Sequence, residues 1–235
     1  PDKFATKLSE DLKKVTHDLH FSIQYDPEWV ADKERADKES ENEKKILWEK
    51  QIATAEKENF GFKELKILEG NIGYLDLRTF HDPAYASETA ASAMQFFSHV
   101  DALIIDLRNN NGGAMEMAQF ISSYFFSQQE LPLFKYYYFG AANKKTEREM
   151  WLLPSVPGKR LDKTDIYILT SGTSFSCAEW MSYSLKNLKR VTVIGEQTAG
   201  GAHPVDRKIL VNGFTMYIPF GEVKDPITNT DFEGV

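Results

Sequence analysis

The spacing of apolar and polar positions changes character near residue 63. Before that point, Leu8, Leu12, Val15 and Leu19 recur at helical spacing and predict an amphipathic helix over 4–19, followed by a short strand over 21–25. Beyond it, short β-rich runs alternate with longer runs of helical spacing. Helices are predicted over 84–100, 115–126 and 177–187, and strands over 63–68, 71–77, 102–108, 131–139, 166–170, 191–195, 207–210 and 214–219, the last two joined by a hairpin turn. This alternation indicates an α/β core with largely parallel strands.

Residues 31–60 form a charged arm, in which about half of the positions are acidic or basic. Because both signs are mixed, the pattern favours a solvated helix over a basic nucleic-acid surface. The predicted organisation is an N-terminal segment over 1–62, with a helix, a short strand and this arm. An α/β core over 63–235 follows.

Composition narrows the classes of function. The chain has 235 residues, 42% of them hydrophobic, which is enough for one large folded domain. A net charge of −7 argues against nucleic acid as a main partner, and no apolar run reaches the ~18 residues of a membrane-spanning helix. Cys177 is the sole cysteine, so an intrachain disulfide and a cysteine-based metal site are both excluded. We expect neither a metal nor a cofactor.

The stretch 165–180 (DIYILTSGTSFSCAEW) carries the strongest chemical signal. A strand breaks at small hydroxyl residues, and a helix begins at once. A helix N-terminus offers unsatisfied N–H groups and positive dipole density, which stabilise an oxyanion. Upstream, the strand over 102–108 runs into Gly112 and Gly113, and paired glycines let backbone N–H groups point into a cleft. Together the two loops predict a serine hydrolase.

The local turn does not select its own nucleophile. Ser176 could be an ordinary helix N-cap, a position that serine favours. Ser174 and Ser171 are chemically equivalent candidates. Cys177 could act as a thiol nucleophile, although packing inside the protein is the commoner role of an isolated cysteine.

Four sequence blocks, in order, resemble the C-terminal processing (tail-specific) peptidase superfamily, in the branch similar to interphotoreceptor retinoid-binding protein. A closing segment, Phe232-Glu233-Gly234-Val235, resembles the family's Glu-Gly-x-Gly-Val end. The resemblance implies a crotonase/ClpP-like core of stacked strand-strand-helix units. The four blocks are Asp18-Leu19-His20, Asp106-Leu107-Arg108-Asn109-x-x-Gly112-Gly113, Thr173-Ser174-Phe175-Ser176-Cys177-Ala178-Glu179 and Gly195-Glu196-x-Thr198-x-Gly200-Gly201.

The resemblance also implies roles for individual residues. It makes Ser176 the nucleophile, three positions before Glu179. The oxyanion hole would then use the N–H of Cys177 and that of Gly112 or Gly113.

The general base is implied by a departure from the family pattern. Classical tail-specific peptidases place a lysine where this chain has Gly201, so a Ser–Lys dyad of that kind cannot form. The tricorn-type arrangement in the superfamily uses a histidine before the core and a glutamate near the end, which match His20 and Glu233. His203 is the second choice as base. His81 and His203 are also expected to line the substrate groove.

The expected function is therefore a serine-type endopeptidase that cleaves peptide or protein substrates through a Ser/His/Glu acyl-enzyme mechanism. The alternative is a non-catalytic binding protein for a retinoid, fatty acid or other apolar ligand on the same fold. About fifty residues separate His20 from Gly70, which is too few for a typical PDZ domain. The resemblance suggests export to a bacterial envelope or beyond, and the substrate and oligomeric state stay open.

Overall fold

The structure is a computed structural model that describes residues 1–16, 21–127, 130–139 and 145–233. The chain divides into two compact units. The smaller comprises Pro1–Gln51, Tyr137–Thr146 and His203–Glu222, and the larger comprises Ile52–Tyr136, Glu147–Ala202 and Val223–Val235. Within the described residues, no helix has both the length and the apolar character needed to cross a membrane.

Six helices and eleven strands are formed within the described residues. In chain order they are α1 (Asp2–Thr16), β1 (Ser22–Tyr25), α2 (Pro27–Ala36), α3 (Glu41–Lys57), β2 (Phe62–Leu68), β3 (Ile72–Leu77), α4 (Pro83–Phe96), β4 (Ala102–Asp106), α5 (Met115–Ser122), β5 (Pro132–Phe139), β6 (Lys145–Trp151), β7 (Asp165–Thr170), α6 (Cys177–Asn187), β8 (Val191–Gly195), β9 (Val205–Ile209), β10 (Phe214–Pro219) and β11 (Gly221–Lys224).

The larger unit contains a five-stranded sheet with the order β2-β3-β4-β7-β8. Strands β3, β4, β7 and β8 are parallel, and β2 pairs with β3 in the antiparallel sense. Leu75, Leu103, Ile105 and Ile168 on the central strands are buried, as expected of parallel strands covered on both faces. Because parallel strands all end at the same edge, the loops after β3, β4 and β7 meet there.

The helices of the larger unit cover this sheet with small and apolar side chains. Along α4, Ala86, Ala90, Ala93 and Met94 are buried at helical spacing. The Asp82 side chain caps this helix by accepting the N–H of Ala84 at 2.8 Å. The core of the unit is therefore close-packed beneath the edge where the loops meet.

The smaller unit is built on the antiparallel sheet β1-β10-β9. Its hairpin turn places Asn212 and Gly213 at φ 56° and 79°, the left-handed conformation that a tight turn between these strands requires. The Arg207 guanidinium pairs with the Asp26 carboxylate at 2.7 Å. A further three-stranded sheet has the order β11-β5-β6.

The α/β class and the largely parallel central sheet agree with the sequence prediction. The charged arm differs from it, because α2 ends at Ala36 and α3 begins at Glu41, so two helices replace one. Strands β6 and β11 were not predicted: β6 has a largely charged sequence, and β11 is four residues long. The division of the chain after residue 62 stays a prediction.

Candidate active site

Ser176 lies at the sharp turn between β7 and α6, with φ 55° and ψ −116°. It does occupy the N-cap position of α6. An ordinary N-cap residue has an extended backbone, whereas Ser176 has the positive φ that side chains other than glycine avoid. Such a conformation costs about 1–3 kcal/mol and persists where the surroundings impose it, often at functional sites. Capping alone does not account for this backbone.

The neighbouring serine at 174 is committed to the fold. Ser174 is fully buried, its hydroxyl donates to the carbonyl oxygen of Leu107 at 2.7 Å, and it accepts the N–H of Ser171 at 3.0 Å. The structure thus supplies a local physical reason for choosing Ser176 over Ser174.

Two other hydroxyls of the turn are bound to the loop after β4. The Ser171 and Thr173 hydroxyls donate to the carbonyl oxygen of Arg108, at 2.5 and 2.6 Å. Arg108 is itself held by Asp106, because its Nε and Nη2 donate to the two carboxylate oxygens at 2.9 and 2.6 Å. The Asp106–Arg108 pair therefore anchors the turn that carries Ser176.

The Asp106 carboxylate stays ionised in its buried position. Burial tends to raise the pKa of Asp106, but hydrogen bonds from Arg108 and Tyr74 outweigh it, and the pKa lies below its ordinary value. Burial, followed by the hydrogen bond to Asp106, raises the pKa of Tyr74 to about 12. The phenol therefore remains a donor to Asp106 at neutral pH, at 2.7 Å.

Gly112 brings the loop after β4 directly against Ser176. A Cβ atom at Gly112 would lie 2.9 Å from the Cβ of Ser176 and 3.0 Å from the amide nitrogen of Cys177. Gly113 is equally restricted, since its Cβ would lie 2.2 Å from the carbonyl oxygen of Phe80. Their φ values are 94° and 131°. Glycine is required at both positions by space and by backbone conformation.

Asn110 determines which glycine N–H is available. Its Oδ1 accepts the N–H of Gly112 at 2.8 Å, and its Nδ2 donates to the carbonyl oxygen of Leu77 at 3.0 Å. Its own carbonyl accepts the N–H of Phe175 at 3.1 Å. Within the described part of the chain, the N–H groups of Gly113 and Cys177 have no acceptor. Of the two glycine N–H groups, that of Gly112 is therefore used within its own loop, and that of Gly113 is unbound among the described residues.

Glu179 holds the opposite side of the turn. This buried carboxylate accepts the N–H of Ser176 at 2.6 Å, of Gly200 at 2.5 Å and of Gly201 at 3.0 Å. No cationic side chain among the described residues pairs with this buried carboxylate, and the three N–H donors satisfy its oxygens instead. Glu179 thus ties the 200–201 loop to the turn that carries Ser176.

The next N–H in that loop is bound by a second carboxylate. Oε2 of Glu233 accepts the N–H of Ala202 at 2.8 Å. A Cβ atom at Gly201 would lie 2.2 Å from the ring of Phe175, so this ring occupies the space that a side chain at 201 would need. The packing agrees with the absence of a lysine there.

The predicted histidines have different positions. His20 lies outside the described residues. His203 lies two residues before β9 in the smaller unit. His81 packs against the rings of Phe60 and Tyr85, and its buried Nε2 has no hydrogen-bond partner among the residues that the structure describes. Burial lowers the pKa of His81, with a smaller opposing effect from the Glu58 carboxylate. The roles predicted for these histidines stay predictions.

The thiol of Cys177 is 1% exposed and lies 3.6 Å from the carbonyl oxygen of Ala114. Burial raises its pKa well above the ordinary value, so it stays protonated. The packed role is the one the structure supports. Among the described residues, no group of His, Cys, Asp and Glu side chains is arranged to hold a metal ion.

Sequence reasoning assigned no structural role to two residues that organise this site. The role of Glu179 could have been found from the Ser-x-x-Glu spacing of Ser176 and Glu179, which is the pattern of a capping box. Asn110 had a weaker signal, a side-chain amide between a buried strand and a glycine pair. Nothing in the sequence indicated that its amide would bind both its own loop, at Gly112, and the end of β3, at Leu77.

Comparison with known proteins identifies the family that the chain resembles. Residues 71–235 match the family model described as peptidase family S41. The carboxy-terminal-processing protease of Bartonella bacilliformis is 26% identical over 137 residues, covering 57% of this chain and 30% of that protein. The chloroplastic C-terminal processing peptidase of Tetradesmus obliquus is 28% identical over 135 residues, covering 55% and 26%. The chain thus spans less than a third of either relative.

Among solved structures, the photosystem II D1 C-terminal processing protease has a similar fold, with a TM-score of 0.53 and 22% identity. The match covers 70% of this chain and 40% of that one. The family model covers well over half of the chain, and the relatives and fold agree with it. The resemblance to the C-terminal processing peptidase superfamily is confirmed: the chain belongs to peptidase family S41.

Proposed function

We propose that this chain carries the catalytic core of a serine-type endopeptidase, with Ser176 as the nucleophile. One observation carries the proposal: Ser176 has a positive φ at a strand–helix turn, and a glycine loop packs against its side chain. This combination exposes a nucleophile while bringing backbone donors close to it. The family assignment supports the same reaction class.

The chemistry is acyl transfer. The Ser176 hydroxyl loses its proton to a base and attacks the scissile carbonyl carbon, which gives a tetrahedral intermediate. The N–H groups of Gly113 and Cys177 are the candidate donors to its oxyanion, assisted by the dipole of α6. Collapse of the intermediate expels the amine, which takes the proton from the base, and water then hydrolyses the acyl-enzyme.

His20 is proposed as the base and Glu233 as the residue that orients it. The support is the family resemblance, together with the glycine at 201 and the ring of Phe175 beside it, which leave no lysine in the dyad position. Glu233 already binds the loop next to Glu179, through Ala202. His203 is the second candidate base.

Substrates are proposed to be peptides or proteins, and the resemblance alone supports export to a bacterial envelope or beyond. Hydrolysis of dye-quenched casein by the wild type and by Ser176→Ala tests the proposed activity. We expect the wild type to be active and turnover to fall by about 10⁶-fold, to background, in a variant with an unchanged melting temperature. An inactive wild type that binds retinoid or fatty acid would instead support the binding-protein alternative.

The base is tested separately with His20→Ala and His203→Ala. If His20 is the base, its removal abolishes nearly all turnover, and loss of His203 leaves most of it. In the wild type, kcat/KM should rise as pH increases through a histidine titration near neutrality, because the neutral imidazole is the active form. The reverse ranking of the two variants would assign the base to His203.

A further inference from the structure

A cavity of about 480 Å³ opens in the larger unit where α3 leads into β2. Its lining includes Lys57, Glu58, Lys63, Arg78 and Thr79. The volume falls within the range of small-molecule and side-chain pockets. None of these residues belongs to the catalytic arrangement described above.

Charge distinguishes this cavity from the rest of the chain. The chain as a whole carries −7, but the lining has three cations and one carboxylate. The Arg78 guanidinium is paired with the Asp76 carboxylate, with 2.6 Å between Arg78 Nε and Asp76 Oδ1. Among the described residues, neither Lys57 nor Lys63 forms an ion pair. The two ammonium groups face a single lining carboxylate, that of Glu58, and this excess of positive charge on a concave surface favours an anionic ligand.

The cavity wall is already formed by the backbone. Asn59, Phe60 and Gly61 have φ values of 50°, 51° and 83°, so three consecutive residues are left-handed. The Nδ2 of Asn59 donates to the carbonyl oxygen of Phe62 at 3.0 Å. The N–H of Arg78 donates to the carbonyl oxygen of Gly61 at 2.9 Å. A ligand would therefore enter a preformed site.

The cavity lies at the same edge of the sheet as Ser176. Phe62, at the start of β2, pairs with Leu77, at the end of β3, and the loops after β3 and β7 share this edge. The Thr79 hydroxyl donates to the carbonyl oxygen of Gly112 at 3.1 Å. Gly112 in turn packs against Ser176. One hydrogen bond and one packing contact thus connect the cavity to the nucleophile.

We propose that this cavity is a specificity subsite for a carboxylate of the peptide substrate, bound by Lys57 and Lys63 within a few residues of the scissile bond. The inference rests on the proposed peptidase function and adds the substrate chemistry. The carboxylate can come from an Asp or Glu side chain or from the C terminus of the peptide. Both present the same group to an ammonium ion.

The test measures binding of fluorescein-labelled peptides to Ser176→Ala, which should bind substrate without cleaving it. In an uncharged polar peptide, a single Glu is moved one position at a time, and each peptide is matched to its Gln version. Each is also made with a free and an amidated C terminus. We expect about 5-fold tighter binding of the carboxylate peptide at one register, with the advantage decreasing as salt is added.

Charge reversal identifies the binding residues. Adding Lys63→Glu or Lys57→Glu to Ser176→Ala should abolish the preference for carboxylate while the Gln peptide binds as before. Lys163→Glu is the matched control, since this exposed lysine precedes β7 at the opposite edge of the sheet, and it should retain the preference. Tighter binding of the Glu peptide than of its Gln version shows that the site binds a side-chain carboxylate. Tighter binding only of peptides with a free C terminus shows that it binds the terminal carboxylate.

Two results would overturn the proposal. One is equal binding of the Glu and Gln peptides at every register, with either a free or an amidated C terminus. The other is a carboxylate preference that persists in both the Lys57→Glu and the Lys63→Glu variants. Cleavage of the same peptides by the wild type separates the two hypotheses. Cleavage without a carboxylate preference contradicts the subsite alone. Carboxylate binding without cleavage contradicts the peptidase function and leaves an anion-binding cavity.

Discussion

Gly112 and Ser176 are in such close contact that a Cβ on the glycine would lie 2.9 Å from the Cβ of the serine. The two residues come from loops after different strands, β4 and β7, which pair in parallel at the centre of the sheet. Parallel pairing is what places both loops at one edge. The relationship makes the glycine loop part of the wall around Ser176.

Replacing Gly112 should therefore impair both folding and chemistry. In Gly112→Ala the new methyl group contacts Ser176 and the amide of Cys177, and φ 94° is strained for alanine. We expect loss of the reaction with a fluorophosphonate and a lower free energy of unfolding in urea. Gly70→Ala is the control, because Gly70 has φ 81° but its Cβ would meet nothing closer than 3.9 Å. It should cost about 1–2 kcal/mol and retain labelling. Equal labelling by both variants would contradict this packing role.

Asn110 should affect turnover more than substrate binding. In Asn110→Ala the N–H of Gly112 loses its acceptor, and the loop that presents Gly113 loses its anchor to Leu77. We expect kcat to fall by about 10²-fold with little change in KM, as for loss of one oxyanion donor. The variant should also lose about 1–3 kcal/mol of stability, because the buried N–H of Gly112 is left without a hydrogen-bond acceptor. The exposed neighbour variant Asn111→Ala should be close to wild type. A folded Asn110→Ala enzyme with normal kcat would disprove the positioning role.

Ser174 and Ser176 should separate stability from activity. Ser174→Ala removes a buried hydroxyl with two hydrogen bonds, which should cost about 1–3 kcal/mol while Ser176 still reacts with the probe. Ser176→Ala should do the opposite. Unfolding curves and labelling of the two variants, measured side by side, check this pair. Loss of labelling in a fully folded Ser174→Ala variant would exchange the assigned roles.

Cys177 should be chemically inert in the native protein. Because burial raises the pKa of this thiol, we expect no alkylation by iodoacetamide near pH 8 until the chain unfolds. Cys177→Ala keeps the backbone N–H and should keep labelling of Ser176. The unfolded thiol ionises near pH 8.5 and the folded one does so only at higher pH. Its contribution to the free energy of unfolding is therefore complete below about pH 8.5 and decreases as pH rises further. Rapid native alkylation would show that the thiol is exposed.

The sequence was most informative where periodicity and packing agree. Strands β7 and β8 and helix α6 were predicted nearly to the residue, since apolar runs there end at clear turn signals. Strand β6 was missed because it is largely charged, and strand β11 was missed because it is short and pairs with β5, which is distant from it in sequence. Local patterns do not encode such long-range pairing.

The site was predictable in part. Ser176 was selected through resemblance, because Ser171 and Ser174 offer the same chemistry within five residues. Only the fold shows that their hydroxyls are bound to carbonyl oxygens of the loop after β4. The three N–H groups on Glu179 likewise come from two loops and required the tertiary structure to be seen.

The central claim is that Ser176 is an activated nucleophile. Its most direct test is to treat the wild-type protein with a fluorophosphonate and to map the modified residue by peptide mass spectrometry. The account predicts one adduct, on Ser176, that forms in the native protein and is lost after denaturation before labelling. An adduct on Ser171 or Ser174, or a native protein that never reacts while it hydrolyses peptides, would contradict it.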